Sequence, residues 1–262
     1  MDKTKIDWCD STWNPVTGCL HGCEYCYARG IANRFGTLDK GDILPEDEGM
    51  EFTPDTPETF LILDKPVRNE NGKIEPYPAN FYPTFHRYRL NEYQNKKGRN
   101  IFVCSMADLF GKWVPDEWIE EVFNVCDNAP QHNYLFLTKN PKRYEKVLNR
   151  YMPPNMWFGW SQTGPMGNKC DFTTHHSIRT FISIEPLLEP FKEFHIRGVD
   201  WVIIGAETGH RKNKAVPERK WVEDIVNECG KCDIPVFMKS SLAGIWREPL
   251  VQEFPVELRH EN

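Results

Sequence analysis

Six short apolar runs punctuate the chain: residues 101–104 (IFVC), 134–138 (YLFLT), 156–161 (MWFGWS), 180–184 (TFISI), 201–205 (WVIIG) and 235–239 (PVFMK). Each is dense in β-branched or aromatic residues and is bounded by Gly, Pro, Asn or Asp, which predicts strands. A weaker strand is predicted over 13–17. Polar, helix-like stretches fall between them, at 24–35, 115–128, 140–150 and 217–229. Pro115 suits the first turn of its helix, with Asp116 and Glu117 beside it at the positive end of the dipole. Asn140-Pro141 and Pro217 open their helices in the same way.

Strand alternating with helix predicts a mostly parallel sheet with right-handed crossovers. About seven strands in 262 residues suit an α/β fold, an open, partial β/α barrel of the TIM-like kind. Such barrels carry their chemistry on the loops after the strands. The reading is one domain over 1–262. The span 36–97 breaks the rhythm: it is polar and rich in proline, without strong periodicity until 81–93. It reads as an insertion, either a lid or substrate-binding segment or plain decoration.

Composition narrows the function classes only slightly. Apolar residues make up 40% and charged residues 27%, with a net charge of −6, so no bulk basic character advertises nucleic acid. A local basic groove stays open. The sequence MDKTKIDWCDSTW has no apolar core between its charges, and no run approaches the roughly 18 apolar residues that span a bilayer. A cytoplasmic protein without a membrane partner is expected. Nine cysteines in such a setting argue against a disulfide framework, and clustered ones are candidate metal ligands.

Three of them are clustered. The segment from Cys19 through Cys26 reads CLHGCEYC, a C-x3-C-x2-C spacing. Thiolates this close can each bind a different iron of one cubane, leaving the fourth iron open. Zinc held by the three cysteines plus His21 or Cys9 is the plainer alternative. Gly22 and Tyr25 complete C-x-x-G-C-x-aromatic-C, which closely resembles the cysteine loop of the radical S-adenosylmethionine (SAM) superfamily. The resemblance implies a [4Fe–4S] cluster on Cys19, Cys23 and Cys26, with SAM chelating the open iron. It implies reductive cleavage of SAM to a 5′-deoxyadenosyl radical that abstracts hydrogen from a substrate. It also implies a reductant such as flavodoxin or ferredoxin, and Tyr25 packed near the adenine.

Further segments are similar to a phage-associated three-cysteine-motif family. They are IDW at 6–8, TWNPVTGC at 12–19, CYA at 26–28, FVCSMADLF at 102–110, LTKNP at 137–141, SIEPLL at 183–188, WVIIGAETG at 201–209 and PVFMK at 235–239. Some of these pieces also resemble the spore photoproduct lyase branch. A phage-encoded member would work in the host cytoplasm.

These motifs lie at the C-terminal ends of predicted strands. Ser105 and Asp108 follow the 101–104 strand, and Asp108 is a candidate for the SAM amino group, with a turn cap as the alternative. Lys139 faces the SAM carboxylate or a substrate phosphate, or else solvent. Ser161 and Gln162 are candidates for the ribose or substrate, or for turn chemistry. Glu185 and Glu207 suit ribose hydroxyls or substrate, and Gly205 close backbone approach. Cys104 is the catalytic candidate, as a hydrogen-atom donor, with buried packing as the alternative. His86 and Arg87 lie in a basic, aromatic patch suited to holding a nucleobase, with an amphipathic helix from His86 as the alternative. Asn14 faces substrate or forms a turn before Pro15. Cys229 and Cys232 form a second C-x2-C, a redox pair or half of a zinc site, with Gly230 as the C-cap of the preceding helix as the plainer alternative. The favoured substrate is a nucleobase, nucleoside or phage nucleic acid. A peptide or small metabolite is the second enzyme reading, and a non-catalytic zinc-stabilised binding module is the third.

Overall fold

The computed structural model describes residues 4–36, 61–148, 150–165, 178–191, 198–209 and 211–259. Residues 37–60 of the expected insertion lie outside these. In chain order, β1 (Ser11–Trp13) and β2 (Val16–Thr17) precede the cysteine loop, and α1 (Tyr27–Phe35) follows it. Then come β3 (Leu61–Leu63), β4 (Thr84–His86), β5 (Asn100–Val103), α2 (Asp116–Asp127), β6 (Asn133–Thr138) and α3 (Lys142–Val147). The chain continues through β7 (Met156–Ser161), β8 (Arg179–Ile184), β9 (Trp201–Ile204), α4 (Arg219–Lys231), β10 (Val236–Met238) and α5 (Ala243–Trp246).

Seven strands pair in the order β1-β5-β6-β7-β8-β9-β10. Every pairing is parallel, and the sheet curls into a half-barrel. Both faces are covered, which is why the strands read as unbroken apolar runs. The convex face packs on the helices. Ile101, Val103, Phe136 and Phe158 meet Trp118, Val122 and Phe123 of α2, and the Phe136 and Phe158 rings stack at 5.3 Å. Ile182, Ile184, Val202 and Ile204 meet Val222, Ile225 and Cys229 of α4. That helix runs on to Lys231, so Gly230 lies within it rather than capping it, and the cap position is Cys232, whose backbone N–H bonds to the Cys229 carbonyl.

The concave face carries Phe102, Leu135, Trp157, Phe181, Trp201, Ile203 and Phe237, with Trp8 set among them. The Trp8 ring lies 4.7 Å from Phe102, 6.1 Å from Phe181 and 6.2 Å from Trp201. The chain before β1 and the C-terminal residues Phe254 and Leu258 together cover this inner face.

Two local expectations change. The strand expected over 13–17 is split. β1 pairs with β5 in the main sheet, while β2 pairs antiparallel with β4 in a separate three-stranded sheet. Pro15 stands at the break. It has no N–H for a ladder, and its carbonyl accepts from His86 N at 2.7 Å. The helix expected from His86 is instead the end of β4 followed by one 3-10 turn over Arg87–Arg89.

Candidate functional site

Side chains alternate between the faces of a strand, so the apolar inner face extends into named positions above it. Leu135 and Leu137 lead to Lys139. Trp157 and Gly159 lead to Ser161. Phe181 and Ser183 lead to Glu185. Trp201 and Ile203 lead to Gly205, and Phe237 leads to Lys239. The inner face is thus apolar below and polar at the C-terminal rim. The cysteine loop, which follows β2, lies against that rim.

Asp108 joins the loop to the barrel. His21 Nε2 lies 2.7 Å from Asp108 Oδ2, which also accepts from Lys139 N at 2.8 Å. Asp108 Oδ1 accepts from Thr138 Oγ1 at 2.7 Å and from Phe110 N at 3.0 Å. Burial alone would push this carboxyl up. The hydrogen bonds from His21, Lys139 and Thr138 outweigh it and hold the group below the usual carboxylate range. Asp108 is therefore a saturated, buried anion, and the turn-organising alternative describes it better than an open ligand.

Lys139 points its ammonium at Ser161 Oγ, 3.3 Å away, and lies 5.8 Å from the Tyr25 ring centroid. Burial, and then Cys23, push the Tyr25 hydroxyl up to about 12. Across the mouth, Lys239 Nζ lies 2.5 Å from Glu185 Oε1. Gly205 lies beneath this pair. A Cβ there would fall 3.0 Å from Lys239 Cδ and 3.1 Å from Glu185 Cδ.

Glu207 is held twice by Arg211, at 2.7 Å to each oxygen, and accepts from Ala215 N at 3.1 Å. Arg211 then reaches Glu24 of the cysteine loop at 3.3 Å. The Arg211 hydrogen bonds hold the Glu207 carboxyl below its usual range against the opposing effect of burial.

The thiols of Cys19, Cys23 and Cys26 are free and half-buried. Burial and the nearby Asp108 push the Cys19 thiol up to about 12, with Cys23 and Cys26 adding smaller contributions. Cys26 is the N-cap of α1, and its sulfur accepts from Arg29 N at 3.3 Å. Gly18 turns the chain into the loop at φ 86°, where an added Cβ would fall 2.2 Å from the Tyr82 carbonyl oxygen. Among the described residues, no three side chains of His, Cys, Asp and Glu are grouped so as to hold a metal ion.

Other candidates sit elsewhere. Asn14 Oδ1 accepts from Ser105 Oγ at 3.1 Å and Met106 N at 3.0 Å, which ties β1 to the loop after β5. The side chain thus makes a tie to the loop after β5 rather than closing a turn before Pro15. The Ser105 carbonyl accepts from Tyr27 OH at 2.9 Å. Gln162 is buried and donates to the Gly164 carbonyl at 3.0 Å, a turn role. Cys104 is buried in the convex core, where burial pushes its thiol up to about 12. That is the packing alternative, away from the rim.

His86 is fully buried, 2.8 Å from Thr17 Oγ1. Arg87 pairs with Asp64 at 3.0 Å and Glu121 at 3.2 Å. His86 is taken up by the small sheet and Arg87, in the 3-10 turn after it, by the Asp64 and Glu121 carboxylates. Sequence reasoning missed Arg211 and Lys239, and weighed His21 only as a zinc ligand. Lys239 had a signal, since it continues the inward period of its strand exactly as Lys139 does. His21 had none, because its partner lies 87 residues away.

No helix among the described residues is long and apolar enough to cross a membrane. No solved structure matches the chain. Over 78 residues it is 31% identical to the uncharacterized protein ORF301 of Acidianus two-tailed virus, a stretch covering 27% of this chain and 26% of that protein. The chain therefore spans about a quarter of that relative's length. Residues 3–253 match the family model described as protein of unknown function (DUF5131). On a match of that extent, the chain belongs to the DUF5131 family.

Proposed function

We propose that the protein is a radical SAM enzyme, with a [4Fe–4S] cluster on Cys19, Cys23 and Cys26 and SAM bound at the mouth of the half-barrel. The observation that carries this reading is three free thiols within eight residues, on a loop against the polar rim of a parallel half-barrel. The donor set fits the group in kind, because soft thiolates suit iron–sulfur clusters. The Cys26 sulfur already receives a backbone N–H, a bond that a metal-bound thiolate also accepts. Holding a cluster requires the three side chains to rotate into convergence.

Cluster and SAM together would supply a carbon-centred radical that takes a hydrogen atom from a substrate. The chain's residues bind and orient. Lys139 offers a cation to the SAM carboxylate or a substrate phosphate, and Ser161 a hydroxyl beside it. Glu185 and Lys239 offer an acceptor next to a donor, and Tyr25 offers an aromatic face. The favoured substrate is a nucleobase, nucleoside or nucleic acid, and a reductant protein such as flavodoxin or ferredoxin would deliver the electron. Anaerobic reconstitution with iron and sulfide, then reduction with SAM, tests the reading. Cluster-dependent 5′-deoxyadenosine in the wild type but not in Cys26→Ala supports it. A colourless protein that leaves SAM intact overturns it.

One observation favours a second reading, a Cys3His zinc centre. Asp108 engages one nitrogen of His21, as the carboxylate does in carboxylate–histidine–metal triads. Stoichiometric zinc, without a brown chromophore, would support it.

A further inference from the structure

Between Cys19 and Cys26 the loop has few ties to the barrel: Leu20 packs against the core at its start, and the rest is loosely held. Glu24 meets Arg211 on the exposed surface, where such pairs contribute little. The Tyr25 ring only approaches the Lys139 ammonium. Gly22, at φ 72°, has open space where a side chain would be. His21 differs. Its ring is fixed through Nε2 to the buried Asp108 and packs edge-on against Trp113 at 4.8 Å. An ionised carboxylate only accepts hydrogen bonds, so Nε2 is the donor. Asp108 is in turn fixed by three donors from the barrel, Thr138, Phe110 and Lys139. The chain of contacts runs from β6 and the turn after β5, through one carboxylate, to the middle of the cysteine loop.

We propose that His21 is the positioning residue of the cysteine loop, its Nε2–H bond to Asp108 holding the middle of the loop, and Cys23 above all, in place to take up the metal group. The nature of that group rests on the cluster reading above, whereas the anchoring of the loop does not. His21 lies two residues from each of Cys19 and Cys23; Cys19 keeps its own tie, its N–H to the Phe81 carbonyl at 3.2 Å, so freeing the His21 side chain releases Cys23 first. The same contact gives Asp108 a place in the motif: it holds the loop. The Lys139 backbone shares the carboxylate, so the loop and the Lys139 end of the mouth are held by one group.

Two variants separate the bond from the packing. His21→Phe keeps a ring against Trp113 and removes the donor. His21→Gln restores an N–H that reaches Asp108 but supplies no imidazole ligand. The first readout is the rate at which iodoacetamide labels Cys19 and Cys23 in the metal-free protein, followed by mass spectrometry. The second is iron and sulfide content and the electron paramagnetic resonance signal after reconstitution. Loss of a hydrogen bond to a charged group predicts labelling of Cys23 faster by about tenfold in His21→Phe, with a smaller change at Cys19. His21→Gln is expected to stay close to the wild type, with the altered resonance signal confined to His21→Phe.

Unchanged labelling in His21→Phe overturns the proposal. Loss of the metal from His21→Gln as complete as from His21→Phe also overturns it, because His21 would then be a ligand. A wild type that takes up no iron, while His21→Phe still labels faster, upholds the anchor and removes the cluster reading alone.

Discussion

Lys239 crosses above Gly205 to reach Glu185, Nζ to Oε1 at 2.5 Å, and so links the ends of β8 and β10 over the strand between them. The side chains are 17% and 23% exposed, with their charged ends toward the mouth. At this exposure the loss of one partner falls between the exposed-pair value of about 1 kcal/mol and the roughly 3–5 kcal/mol of a buried pair. Lys239→Met is therefore expected to unfold at a lower temperature than the wild type. In the proposed enzyme it should lower 5′-deoxyadenosine formation by tenfold or more. Thermal unfolding and the SAM cleavage assay, run on the same preparations, check this. A large stability loss with normal cleavage would make the pair a structural strap.

Trp8 tests whether the barrel interior depends on the chain that precedes β1. The indole is 2% exposed and meets three aromatic rings. Truncating a buried Trp to Ala costs about 3–5 kcal/mol. The indole nitrogen has no hydrogen-bond partner among the described residues, so Trp8→Phe forfeits packing only and should cost distinctly less. Urea unfolding of both variants gives the order. Equal losses would mean that the indole N–H has a partner after all.

His86 makes stability depend on pH. Burial, and then Arg89, lower its pKa to about 2, whereas an unfolded histidine titrates near 6.5. Between those values the unfolded chain binds a proton that the folded chain refuses, so stability falls as pH falls. The loss is about 1.4 kcal/mol per pH unit, or roughly 2 kcal/mol by pH 5. His86→Gln should flatten this slope between pH 6.5 and 4, whatever its stability at neutral pH. Urea midpoints measured across that range decide it, and an unchanged slope would mean that His86 is protonated in the fold.

Much of the architecture was legible because the main strands are buried on both faces and so read as solid apolar runs. The rim positions Lys139, Ser161, Glu185 and Gly205 were legible by strand period. Roles were harder to read. Asp108 looked like a ligand because its four donors come from Thr138, Phe110, Lys139 and His21, of which only the Phe110 amide is local in sequence. His86 and Arg87 looked like a nucleobase patch because β2, β3 and β4 are two or three residues long and leave no periodic signal. Cys104 stood next to a motif in sequence and faced the other side of the sheet in space.

Arg211 offers a test of how the segment after β9 is held. Its guanidinium takes both oxygens of Glu207, whose side chain is 1% exposed, and Glu207 in turn accepts from Ala215 N. Paired, charge-assisted bonds of this kind are stronger than neutral ones and fix geometry. In Arg211→Met the carboxylate is buried without its countercharge, and the cheapest relief is to swing into water. The Ala215 amide then loses its acceptor. Native-state hydrogen exchange at that amide should accelerate by about 10- to 100-fold, while amides in β6 and β7 keep their protection because the barrel core does not share this contact. If Ala215 exchanges at the wild-type rate, Glu207 is held by the backbone of its own segment, and the contact from Arg211 to Glu24 carries no influence from that segment to the cysteine loop.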